Sequence, residues 1–114
     1  MVKAYKISAV LADQGTVATA SDIKVNGKFL GFAITTPNLS STNTTTFAIV
    51  DAYGVTVYSK ASIAESLTNS LTVIDANNHP LVVPLVGPVT VTMTASGTQT
   101  GAVTYTAVIY YEAY

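Results

Sequence analysis

His79 is the single histidine of the chain, and Asp13, Asp22, Asp51, Glu65, Asp75 and Glu112 are its six acids. A zinc or copper site of the usual kind needs several nitrogen or sulfur ligands. Here no cysteine and no second histidine exist to join His79. A nucleophilic triad needs a base and an orienting acid around a presented serine. Serines are plentiful, but no Gly-x-Ser-x-Gly elbow occurs. His79 lies in Asn77-Asn78-His79-Pro80, a turn-forming string, and reads as a loop histidine. Asp75 with Asn77 and Asn78 comes nearest to the clustered oxygen ligands that calcium requires. The plain reading of that cluster is a turn. The other acids occur singly, mostly in turns, where a carboxylate satisfies local N–H groups. The expectation is no catalysis, no cofactor and no metal centre.

Recognition chemistry is better represented than catalysis. All five basic residues are lysines, and Lys3, Lys6, Lys24 and Lys28 fall in the first quarter of the chain, with Tyr5 and Phe29 beside them. Lysines interleaved with stacking aromatics can hold a single strand of nucleic acid. The net charge of -1 and the lack of arginine speak against it, because phosphate contacts need a basic excess and arginine is the usual reader of base edges. These lysines read as a solvated face, or as one turned toward an acidic protein partner, with no nucleic acid. Tyr105, Tyr110, Tyr111 and Tyr114 crowd the C-terminus. Tyr105 and Tyr111 share strand parity and are expected to line the core or one sheet face. Tyr110 faces the other way with Thr104, Thr106 and Val108. Tyrosine joins apolar area to a polar tip and so suits interfaces. Lys24, Lys28, Tyr110 and Tyr114 are therefore candidate partner contacts; the alternative is a sandwich core with tyrosines at its rim. Asn38-Leu39-Ser40 and Asn43-Thr44-Thr45 match glycosylation acceptors but read as chance in a Ser/Thr-rich loop.

The elements that would position these residues are strands. Val2 to Leu11 reads as the first. Asp13-Gln14-Gly15-Thr16 turns. Ile23-Lys24-Val25 and Lys28 to Ile34 flank Asn26-Gly27, a strong two-residue hairpin signal, which would set Lys24 and Lys28 side by side. Lys28, Leu30, Phe32 and Ile34 alternate with Phe29, Gly31 and Ala33, so both faces of this strand are largely apolar. Thr35 to Thr45 is a loop. Thr46 to Val50 and Val55 to Tyr58 form a hairpin around Asp51-Ala52-Tyr53-Gly54, with the glycine closing it. Ser62-Ile63-Ala64-Glu65 spells a capping box and predicts one short helix over 62–68. Leu71 to Asp75 alternates again, and Ala76 to Pro80 turns. Leu81 to Val86 is apolar but broken by Pro84, hence an edge strand or a crossover. Val89, Val91 and Met93 alternate with Thr90, Thr92 and Thr94, and Val103 to Glu112 follows beyond a Gly- and Ser-containing turn. The expected partner of each of these two runs is the other.

Seven or eight short strands at spacings of about 8–12 residues fit an all-β, antiparallel β-sandwich or a jelly-roll-like barrel. At 114 residues the chain is expected to form one domain, residues 1–114, burying roughly two thirds of its unfolded surface. Only 10% of residues are charged, against a typical ~25%, and threonine carries much of the polar surface. A neutral, Thr-rich exterior suits a protein packed in an assembly better than a free monomer. Simple compositional drift in a robust β-domain is the competing explanation. Val2 to Leu11, interrupted by Lys3 and Lys6, is too short and too charged for a leader segment or a membrane span.

The order Phe47 to Ser59, then Ser62-Ile63-Ala64-Glu65, then Pro84-Leu85-Val86-Gly87-Pro88-Val89-Thr90-Val91-Thr92, then Ala107-Val108-Ile109-Tyr110-Tyr111, resembles small virion proteins of tailed bacteriophages. In those, a valine-aspartate-x-x-glycine hairpin and a glycine-proline strand of alternating hydrophobes and threonines recur, and the chain ends in an aliphatic-tyrosine-tyrosine strand. The resemblance spans about residues 46 to 112. It implies a β-sandwich capsid decoration (cement) protein on the outer surface of the virion, bound to the major capsid protein of an assembled head. A homo-oligomer, with a trimer favoured, is part of that expectation. A tail or head-fibre component is the nearest rival. A carbohydrate-binding or adhesin-type sandwich is the next, although it would be expected to present tryptophan or tyrosine platforms, and the chain has no tryptophan.

Overall fold

A computed structural model describes residues 2–73 and 83–113. Nine strands run in the order β1 (Val2–Leu11), β2 (Val17–Ile23), β3 (Asn26–Thr35), β4 (Thr45–Val50), β5 (Thr56–Ile63), β6 (Ser70–Val73), β7 (Pro84–Val86), β8 (Val89–Ala95) and β9 (Val103–Ala113), with one 3₁₀ turn at Ser40–Thr42. They build two antiparallel sheets packed as a sandwich. One sheet has the order β1-β9-β3-β6, with β7 also paired to β3; the other has the order β2-β8-β4-β5.

Period-2 burial fixes which side of each strand meets the core. Val89, Val91 and Met93 of β8 are fully buried while the threonines between them are half-exposed. Tyr105, Ala107, Ile109 and Tyr111 of β9 face inward, and Val108 and Tyr110 are the half-exposed alternates. Across the sandwich, Phe32 of β3 stacks on Phe47 of β4, with ring centroids 4.0 Å apart. Tyr58 of β5 meets Phe29 edge-on at 5.0 Å, a geometry that aligns ring edge with ring face. Thr45 and Tyr105, both fully buried, share a hydrogen bond of 2.7 Å that joins β4 to β9.

Four expectations from sequence need correction. First, β8 and β9 do not pair. β8 lies between β2 and β4, while β9 lies between β1 and β3 in the opposite sheet. Among the described residues, β4 and β5 are the only consecutive strands that pair with each other. Their hairpin closes as expected, with Asp51 Oδ1 accepting from the N–H groups of Tyr53 at 2.9 Å and Val55 at 3.0 Å.

Second, Asn26-Gly27 is not a hairpin turn but the start of β3. Gly27 is paired on both sides, with Ala113 and with Leu85. A Cβ on Gly27 would strike the backbone carbonyl of Glu112, so this glycine permits a close backbone approach. Lys24 and Val25 form the corner between the sheets, with Val25 buried.

Third, no helix forms over 62–68. β5 runs on to Ile63, and Ser62 and Ser66 take left-handed φ of 60° and 57°. Glu65 does not reach back to cap its own segment. Its Oε2 accepts from Leu39 N–H at 2.8 Å. Ser66 N–H donates to Pro37 O and Leu67 N–H to Thr36 Oγ1. The segment spends its donors on the neighbouring loop rather than on carbonyls one turn back, which a helix would require.

Fourth, the simple alternation of β3 is broken. Its register with β9 shifts between Phe29 and Gly31, leaving Leu30 as the extra residue of a bulge. Phe29 and Phe32, of opposite parity in an unbroken strand, therefore both enter the core.

Candidate functional site

Directly opposed residues of an antiparallel ladder share a face, so the exterior of the β1-β9-β3-β6 sheet can be laid out in rows. One row is Ala4, Tyr110, Gly31, Val73. The next is Lys6, Val108, Ala33, Leu71. The β3 bulge adds Leu30 to this exterior. The outcome is a shallow open groove of about 280 Å³ lined by Val2, Leu30, Gly31, Leu71, Val73 and Tyr110. Leu71 and Val73 are 61% and 66% exposed, large values for such side chains. Gly31 forms the floor because a Cβ there would run into the Thr72 carbonyl. The groove's walls are strand-borne, and Tyr110 offers a phenol at the rim of an otherwise apolar surface.

Of the expected partner contacts, Tyr110 lines this groove. Lys28 lies on β3 opposite Glu112 and Pro84, half-exposed. Lys24 is exposed at the sheet-to-sheet corner. The two lysines therefore do not face one another across a turn, and the like-charged pair expected from Asn26-Gly27 is not formed. Lys3 and Lys6 sit on β1 three positions apart, on opposite faces of the strand, so the four do not share one sheet face. Tyr114, and the Asp75, Asn77, Asn78 and His79 cluster, lie outside the described residues. Leu30, Leu71 and Val73 were not among the sequence candidates. Their one signal was the apolar character of both faces of 28–34, which leaves the outer face needing a cover.

No group of three metal-ligating side chains comes together among the described residues. Nor does any buried polar side-chain atom there lack a hydrogen-bond partner. Gln99 is typical: it is buried, accepts from Ser40 N–H at 3.0 Å and donates to the Thr100 carbonyl. Burial raises the phenols of Tyr58 and Tyr105, the latter offset in part by the Thr45 hydrogen bond. Tyr105 lies in the core, and Tyr58 is half-buried against it. The groove around Leu71, Val73 and Tyr110 is the apolar feature that stands out on this exterior. In comparisons with known proteins, no family model, no curated protein and no solved structure matches this chain.

Proposed function

We propose that the protein is a non-enzymatic virion structural protein: a decoration protein that seats on the major capsid protein of an assembled phage head, at the outer surface, and stabilises the shell. The observation that carries this reading is the strand-borne apolar groove around Leu71, Val73 and Tyr110 on an otherwise neutral exterior. A rigid sheet face of this kind loses little entropy when it docks. The likeness of residues 46 to 112 to small phage virion proteins supports the same reading. A decoration protein that binds only the assembled lattice stabilises that state by mass action, and a homotrimer set on a symmetry axis would multiply the contact.

The test compares heads with and without the protein. Heads carrying it are expected to rupture at higher temperature than heads stripped of it, and re-addition is expected to restore the difference. A Leu71→Asp, Val73→Asp double variant, which places two charges on exposed positions without touching the core, is expected to fold but not to restore it. Equal rupture temperatures refute the stabilising role. Labelling of tails or fibres rather than heads by an antibody to the protein moves it to the rival virion location.

A further inference from the structure

We infer that the free edge of β1 is a strand-addition site for an extended, acidic segment of a partner protein. An edge strand presents unpaired N–H and C=O groups. Folded proteins blunt such edges in the backbone, with bulges, short strands or proline, or with charged side chains such as lysine, which repel like edges but leave the backbone open to an acidic strand. The edges formed by β2, β5, β6 and β7 carry the backbone devices. The register of β2 breaks between Ala20 and Ile23, and Asp22 there has φ of 57°. The ladder of β5 breaks twice. β6 has four residues, and β7 has three and begins at Pro84. β1 differs: it pairs with β9 over ten unbroken positions, from Val2↔Glu112 to Leu11↔Val103, and among the described residues no strand pairs with its other edge. Val2, Tyr5 and Val10 stand 61%, 38% and 61% exposed along it.

The charges on β1 select the occupant. Lys3 and Lys6 are both exposed, and the strand has no acid. Pairing with the β1 of a second copy would bring four ammonium groups onto one seam, which like-charge opposition disfavours. An incoming strand with acids opposite Lys3 and Lys6 turns the same charges into attractions. Those two positions are three apart and point to opposite faces of the sheet. The partner segment should therefore carry acids in the spacing Glu-x-x-Glu within a run of β-branched residues. Main-chain bonds supply the affinity and the two lysines the selectivity, as in other strand additions.

The probe is the acetylated, amidated peptide VTTVEVTEV, whose glutamates fall opposite Lys6 and Lys3 when it lies antiparallel with its first residue facing Val10. Amide NMR of the full chain is expected to show saturable shifts confined to alternate residues of β1, with slowed hydrogen exchange there. The Lys3→Glu, Lys6→Glu variant, changed only at exposed positions, is expected to fold normally and bind about tenfold more weakly, since two exposed ion pairs become two repulsions. It should prefer the same peptide with both glutamates replaced by lysine. Three results would overturn the inference: shifts centred away from β1, equal binding of the glutamate and lysine peptides by the parent chain, or β1 protection arising from dimers of the protein alone.

Discussion

The hydrogen bond between Thr45 and Tyr105 gives the sharpest energetic test of the sandwich. Both residues are fully buried, and the 2.7 Å contact crosses from one sheet to the other. In Tyr105→Phe the ring stays but the Thr45 hydroxyl is left dry and without this partner. In Thr45→Val the β-branched shape stays but the phenol is stranded. Leaving one buried polar group unsatisfied costs about 1–3 kcal/mol, whereas replacing both partners with apolar groups of the same shape is nearly neutral. Each single variant is therefore expected to lose about 2 kcal/mol, and the double variant less than about 1 kcal/mol. The resulting coupling is about 3 kcal/mol, at the upper end for residues in direct contact. Urea unfolding at pH 7 measures it, read as a change in midpoint at constant slope. In heating experiments, 2 kcal/mol corresponds to a fall of roughly 6–10 °C for a domain of this size. Additive losses, with the double variant about 4 kcal/mol down, would show that the two hydroxyls do not satisfy each other and would refute the reasoning.

Three further outcomes follow from the same core and turns. Burial raises the Tyr58 and Tyr105 phenols above their ordinary value of 10.0, so on alkalinisation the unfolded chain loses these protons first. Stability should be complete below pH 10, fall as pH climbs through the raised folded-state values, and fall less in Tyr105→Phe; an identical alkaline limb in that variant would remove Tyr105 from the account. Gly31→Ala forces a methyl group against the Thr72 carbonyl at φ of +156°, whereas Gly54→Ala meets nothing within 4 Å at φ of +80°; the first should cost about 3 kcal/mol or more and the second about 1 kcal/mol by denaturant titration, and equal costs would refute the close-approach reading of Gly31. Asp51→Ala removes both acceptor contacts of the β4–β5 turn and should cost about 1–2 kcal/mol, with Asp51→Asn recovering most of it in the same titration.

How far the sequence foretold this molecule depends on which physical quantity a pattern encodes. Alternation encodes the face of a strand, so β1, β4, the inward set of β8 and the inward tyrosines of β9 were legible. It does not encode the partner. β8 and β9 are adjacent in sequence, both alternate, and a turn separates them, yet each completes a different sheet because the core lies between them. β2 was missed for a related reason: Ala18, Thr19, Ala20 and Ser21 are too small to make alternation visible, although Ala18 is fully buried. The helix expected over 62–68 failed on competition. Its capping residues were present, but Glu65 and the following N–H groups found partners in the 36–39 loop, which a local pattern cannot register.

The candidate site was less legible than the fold because it depends on the bulge. In an unbroken β3, Leu30 and Phe32 share a face, so Leu30 counts as core beside Phe32 and the outer apolar face holds Phe29, Gly31 and Ala33 instead. One extra residue at Leu30 reverses that: Phe29 and Phe32 turn inward together, and Leu30 and Gly31 turn out beside Tyr110. Leu71 and Val73 then follow, because they pair with Ala33 and Gly31 on the exterior rather than the interior. Leu71 and Val73 stand more than half exposed in this groove, and single charged substitutions there would remove its apolar character at little structural cost. The same bulge that brings Phe29 and Phe32 into the core together thus also sets Leu30 into the groove. Deleting Leu30 leaves Phe29, Gly31 and Phe32 opposite Tyr111, Tyr110 and Ile109. Both phenylalanines should therefore stay inward and urea unfolding should show the aromatic core kept, while the groove loses its Leu30 wall; loss of the folded state in that variant would refute this account of the bulge.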